Sequence, residues 1–253
     1  MNSISYILFL ASVTLSLEIC PAIAGNIDEL NFIGFSSDGK YLAYEIYGNA
    51  DGSGGPYSEI RIIDTQRNNF ATQPYEFKGY SEEGELRLMR ARVLEKAKAR
   101  LKQLKIQLGN SGNHVVSHLQ TDLSVSPYNA RFNFGEGGDQ EFELQLSAKK
   151  IFTNASNEET HFCQADPGVK IFTLVLIENK TKKKQVLQRD SILPKSRGCV
   201  IDYRIQDVYV YSQETDKPVI AVFLNIFTPN AEGNNHEYLV VAGESSIAHD
   251  DLR

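Results

Sequence analysis

Two spacings organise the hydrophobic positions of this chain. In "ELNFIGFSSDGKYLAYEIYG", Glu29 to Gly48, apolar and aromatic residues flank "SSDGK", whose Asp38-Gly39 supplies the turn chemistry of a tight hairpin. "EIRIIDT" after it alternates like a further strand. The spacing then lengthens. Leu86, Met89, Val93, Ala97, Leu101, Leu104 and Leu108 recur every three or four positions, which predicts one amphipathic helix over about 81–108. Ser81 is placed to cap it, with Glu82, Glu83 and Glu85 near the positive end of its dipole and Lys102 and Lys105 near the negative end. Gly109 and Gly112 are expected to stop it.

Beyond the helix, "RFNF", "EFELQLSAKKIF", "VKIFTLVLIEN", "KQVLQRD", "CVIDYRIQDVYVYS", "PVIAVFLNIF" and "EYLVVAG" are alternating or continuous apolar runs between turn residues, with "ENKTKKKQ" as a hairpin tip. The expected fold is mainly β: antiparallel sheets with one inserted long helix, in an irregular propeller-like packing or, as the alternative, a two-sheet β-sandwich.

One loop type occurs twice. "NADGSGGPY", Asn49 to Tyr57, aligns without a gap on "NAEGNNHEY", Asn230 to Tyr238, each between two strands and each with an Asp turn upstream. A decayed strand–turn–strand–loop–strand repeat would account for this, and four shared identities also fit coincidence. The glycines of the first loop meet backbone requirements before any other. No Gly-Lys-Ser/Thr follows to hold phosphate. Asn49, Asp51 and Ser53 start like a calcium loop, but Ile60 stands where an EF-hand needs its bidentate glutamate. A looser Ca2+ site on Asp51, backbone carbonyls and Glu59 is the one cofactor these acidic Gly-rich loops suggest.

The N-terminus supplies the cellular context. "ISYILFLASVTLSL" is an apolar run too short for a comfortable bilayer span, and "AIA" precedes Gly25, so residues 1–24 read as a signal peptide cleaved near Ala24. Residues 25–253 are then one β-rich domain, helix included, secreted or periplasmic and soluble. No later run is apolar for long enough to cross a membrane as a helix. Removing Cys20 leaves Cys163 and Cys199, which in an oxidising compartment read as a disulfide, with two separate buried thiols as the alternative. A net charge of -6 argues against general nucleic-acid binding.

No stretch carries a recognisable catalytic constellation. G-x-S-x-G is absent, no C-x-x-C occurs, and His114 and His118 in "HVVSH" lack the Glu of a zinc helix. On a strand those two histidines stand about 13 Å apart, too far for one ion, so no metal or catalytic residue is assigned. The helix carries eight basic residues between Arg87 and Lys105 against Glu95, a solvated face or a surface for an anionic partner.

"FIGFSSDGKYLAYEIYG" looks like the strand pair that recurs in β-propeller blades, including those of the periplasmic Tol-system propeller. Together with "DGSGGPYSEIRIID", "EGNNHEYLVVAG" and the signal peptide, it resembles an uncharacterised family of predicted secreted bacterial proteins. The resemblance implies export and a β fold, and brings no site residues with it. The expected function is a non-enzymatic binding or protein-interaction module using paired loops 48–58 and 229–238. Asp51, Tyr57, Glu59, Glu232 and Tyr238 are the contact candidates for a protein, peptide or glycan partner. The alternative is an exported hydrolase whose site no motif reveals, betrayed by a cleft holding a His beside a Ser or a carboxylate.

Overall fold

The computed structural model describes residues 27–50, 55–79, 85–119, 121–135, 138, 140–151, 168–212, 217–230 and 233–247. The predicted signal peptide, Ser81, Asp51, Glu232 and Cys163 lie outside them. Three antiparallel sheets stack face to face. The first is β1 (Glu29–Phe35), β2 (Tyr41–Asn49), β3 (Pro56–Asp64) and β4 (Asn69–Phe70) in that order, with β5 (Tyr75–Lys78) also on β3. After α1 (Leu86–Gln103) come β6 (Asn113–Ser117), β7 (Asn129–Phe134), β8 (Gln140–Ile151), β9 (Val169–Glu178) and β10 (Lys184–Arg189). The last three strands are β11 (Asp202–Tyr211), β12 (Val219–Asn230) and β13 (Gly233–Glu244). The second sheet runs β13-β12-β11-β6 and the third β10-β9-β8-β7.

The burial pattern explains the stacking. On β8, Phe142, Leu144 and Leu146 are buried while Glu141, Gln145, Ser147 and Lys149 face water, so this sheet has one wet face. β12 has none: Val219 through Ile226 are all buried. Ile220, Val222, Leu224 and Ile226 pack with Phe142, Leu144, Leu174 and Leu176 of the third sheet. Val219, Ala221 and Phe223 pack the other way, with Phe35, Leu42, Tyr44 and Ile46 of the first sheet. The far face of that first sheet, Ile33, Ala43, Ile60 and Ile62, receives Val93, Ala97 and Leu101 of α1. The order of layers is therefore helix, first sheet, central sheet, third sheet.

This is the mainly β, antiparallel, one-helix fold expected, in the sandwich-like arrangement. The propeller-like packing, the first reading of the sequence, finds no support, because a propeller needs every blade packed between two others. Here the stack ends on a polar strand face on one side and a helix on the other.

α1 is shorter than its apolar spacing predicts. Leu104 is its C-cap, and Lys105 takes a left-handed φ of 55° that turns the chain before Gly109 is reached. Met89, Val93, Ala97 and Leu101 are buried as the stripe requires, whereas Leu108 falls beyond the helix and is exposed. Glu85 occupies the N-cap without a side-chain capping bond. The chain after the helix covers the outer edge of β1, where Gly109 N–H donates to Ile33 O at 2.8 Å and Phe35 N–H to Asn110 O at 2.7 Å. Gly34, at φ +149°, permits this contact: a Cβ there would stand 2.1 Å from Gln107 O.

Candidate functional site

The first and central sheets are in register at both ends. At one end, Phe35 stacks on Tyr211 with centroids 4.8 Å apart, and the Tyr211 hydroxyl donates to Ser37 O at 3.3 Å. At the other end lie the two hairpins that carry the repeated loop. β2 and β3 pair out to Asn49 and Pro56, and β12 and β13 out to Asn230 and Gly233. The two "NA[D/E]G" hairpins thus share one end of the molecule.

Ile27 and Asp28 run between them. Ile27 forms a parallel bridge with His236, and Asp28 N–H donates to His236 O at 3.2 Å. The Tyr57 hydroxyl donates to the Asp28 carboxylate. Gly48 of β2 sits so close above that a Cβ would lie 2.8 Å from the Tyr57 hydroxyl and 3.3 Å from Ile27 O. Around this crossing opens a cleft of ≈350 Å3, lined by Asp28, Tyr57, Glu59, Arg61, Lys78 and Glu237 together with Ile46, Ala50, Pro56 and Asn235. Its size is that of a small-ligand site.

The charges are held unequally. Arg61 Nε donates to Glu59 Oε1 at 2.6 Å and Arg61 Nη1 to Tyr238 O at 3.3 Å, so the guanidinium is committed to the protein. Among the described residues no cation is paired directly with Asp28, although the charge of Arg61 acts on it. Burial pushes its carboxyl up to about 6, against the hydrogen bond from Tyr57, and the negative charge of Glu237 pushes the same way. Burial also raises the Tyr57 phenol, helped by the Asp28 beside it. His236, behind the cleft, is pulled down to about 4 by burial and by the positive charge of Arg204. Its ring lies against Phe227 and Tyr238.

Of the residues singled out from sequence, Tyr57 and Glu59 line the cleft. Tyr238 does not: it is 5% exposed in the core between the first and central sheets, its hydroxyl accepting from Gln206 Nε2 at 3.1 Å. The ungapped alignment placed it opposite Tyr57, but the hairpins differ in register. Tyr57 pairs with Gly48, next to the hairpin end, whereas Tyr238 pairs with Asn225, well down the strand. Asp51 and Glu232 lie outside the described residues. Sequence reasoning missed Asp28, Arg61, Lys78 and Glu237. One signal was present: "EIRII" sets Glu59 and Arg61 on the same side of a strand whose neighbours are isoleucines, which marks a charge pair turned inward.

The other candidates are placed as follows. His114 lies on the strand β6 and His118 directly follows it, as their β-branched neighbours predict. His114 Nε2 lies 2.8 Å from Asp207 Oδ1 and its ring stacks on Tyr209, while His118 N–H donates to Gln206 O at 2.8 Å. Among the described residues no group of three or more His, Cys, Asp or Glu is placed to hold a metal ion. No described helix is long and apolar enough to cross a membrane. Cys199 is half-buried after Gly198, and its expected partner Cys163 is outside the described residues.

Fold and cleft together define a layered antiparallel β protein with a ligand-sized opening where two hairpins meet. The family model described as "Predicted secreted protein (DUF2259)" matches residues 43–244, and the chain belongs to that family. Secreted or periplasmic localisation, expected from the N-terminus, agrees with it. No curated protein matches the chain.

Proposed function

We propose that this secreted protein is a binding module whose ligand enters the cleft at the shared hairpin end. The observation that carries this reading is Asp28: a carboxylate 7% exposed, held by Tyr57 and, among the described residues, directly paired with no cation, with Glu237 close by. A folded chain gains nothing by burying such a group, and a ligand that brings a positive charge gains from it. The favoured partner is a peptide presenting a lysine side chain; its aliphatic stem fits beside Ile46 and Pro56 while the ammonium meets Asp28 and Glu237. The expected Cys163–Cys199 disulfide would tie the segment before β9 to the segment before β11, and it belongs to the same picture of an exported, stapled module.

The hydrolase alternative calls for a His beside a Ser or a carboxylate within a cleft. Among the described residues, neither this cleft nor the one beside α1 is lined by a His or a Ser. His114 of the edge strand β6 pairs instead with Asp207 of β11, away from both clefts' described linings.

The test is a thermal-shift titration with a blocked Gly-Lys-Gly peptide and its Nζ-acetylated form, on the wild type and on Glu237→Gln and Tyr57→Phe. The unmodified peptide is expected to raise the wild-type midpoint, and both variants to lose most of the rise. No shift with either peptide, or an equal shift with both, would remove the lysine-peptide reading.

A further inference from the structure

A second cleft, of ≈540 Å3, lies on the opposite side of the first sheet, between α1 and β1. We propose that it is a binding site for a single-chain anionic amphiphile, an alkyl chain ending in a carboxylate. The apolar walls are Ile33 of β1, Leu86 and Leu94 of α1, and Leu108 after it. Leu94 and Leu108 are 37% and 67% exposed, so apolar surface is presented to water where an alkyl chain would cover it.

The charges choose the headgroup. Among the described lining residues the charged ones are Glu45, Arg90 and Arg87. Glu45 is saturated: it accepts from Arg90 Nε at 3.0 Å, Arg90 Nη2 at 2.8 Å, Asn31 Nδ2 at 3.0 Å and Ser58 Oγ at 2.9 Å. A cationic ligand would have to break that network. Arg87 is different, for its side chain is 87% exposed and meets Glu85, itself exposed, at 3.8 Å, a contact worth little in water. The helix adds to the same sign, with Arg87, Arg90, Arg92, Lys96, Lys98, Arg100 and Lys102 against Glu95. An uncharged alkyl ligand would leave this field unused, and an anion at the end of an alkyl chain uses both features.

The experiment is isothermal titration of the full-length secreted protein with dodecanoate below its micelle concentration, beside dodecyltrimethylammonium and phosphatidylglycerol vesicles. Dodecanoate is expected to fill one saturable site, with the cationic amphiphile weaker by about tenfold or more. Leu94→Asp and Arg87→Glu should each weaken dodecanoate by about tenfold. Both positions are solvent-facing, and unchanged melting would show that the fold is intact. Glu237→Gln, in the hairpin cleft, should leave dodecanoate binding unchanged. Absence of saturable binding, equal binding of the cation, insensitivity to both cleft variants, loss in Glu237→Gln, or binding to vesicles alone would each overturn the proposal.

Discussion

Replacing Asp28 by Asn should make the protein more stable at neutral pH and change the shape of its pH profile. The substitution keeps an acceptor for the Tyr57 hydroxyl and removes only the charge. Burial raises the Asp28 carboxyl from 3.8 to about 6. At 1.36 kcal/mol per pK unit, that corresponds to a cost of about 3 kcal/mol for keeping the carboxylate ionised in the folded state. Because the folded value is the higher one, the folded state holds a proton between about pH 4 and 6 that the unfolded chain has lost. Stability therefore falls as pH rises through that window, and the full cost is present above it. His236 acts in the opposite sense. Its folded value is about 4 against 6.5, so the unfolded chain takes up a proton first on acidification, and stability falls as pH falls through nearly the same window. In the wild type the two slopes largely cancel. In Asp28→Asn the His236 slope is no longer offset. Urea unfolding of both proteins at half-unit steps from pH 4 to pH 8 reads the difference directly. The variant should gain about 3 kcal/mol at pH 8 and almost nothing at pH 4. A difference that stays constant across this range would mean that Asp28 is not desolvated as described, and the reasoning that makes it a ligand anchor would fail with it.

Other outcomes follow from the packing. Leu224→Ala empties a fully buried position of the central strand and should cost about 3 kcal/mol in urea unfolding. Gly34→Ala puts a Cβ 2.1 Å from Gln107 O and should release the 107–110 segment from β1, read as faster amide exchange at Gly109 and Phe35. Mass spectrometry of the exported protein should show a start at Gly25 and a mass two hydrogens below the reduced form; reduction should cost about 3–4 kcal/mol, and free thiols at both Cys163 and Cys199 would refute the bridge. Calcium chloride should raise the melting midpoint if the acidic hairpin loops bind the ion, and an unchanged midpoint leaves them as plain loops.

Much of the local structure was legible in the residues because it depends on near neighbours. The alternation of "EFELQLS" and the unbroken run of "PVIAVFLNIF" differ for a physical reason: β8 has one wet face, while β12 is covered on both. The residues carry that contrast, but which strand is central, and what lies on either side of it, follows only from the packing. The helix stripe was legible through Leu101, and the overshoot to Leu108 came from reading spacing where a left-handed Lys105 had already turned the chain. The short β4 and β5 carried too few residues to show a period.

What the chain determined alone was its export signal pattern, its antiparallel β character, one amphipathic helix and two hairpins of related sequence. Each of these follows from turn chemistry and from which side chains avoid water, and both are properties of adjacent residues. The tertiary structure decided which faces meet. It set β2 over β12 and β3 over β13, brought the two hairpin ends together, and ran Ile27 and Asp28 between them. Only that packing takes Asp28 out of water and puts Tyr57 against it. Desolvation depends on residues far apart in the chain, so the carboxylate that gives the cleft its character reads in the sequence as one more acid before a strand.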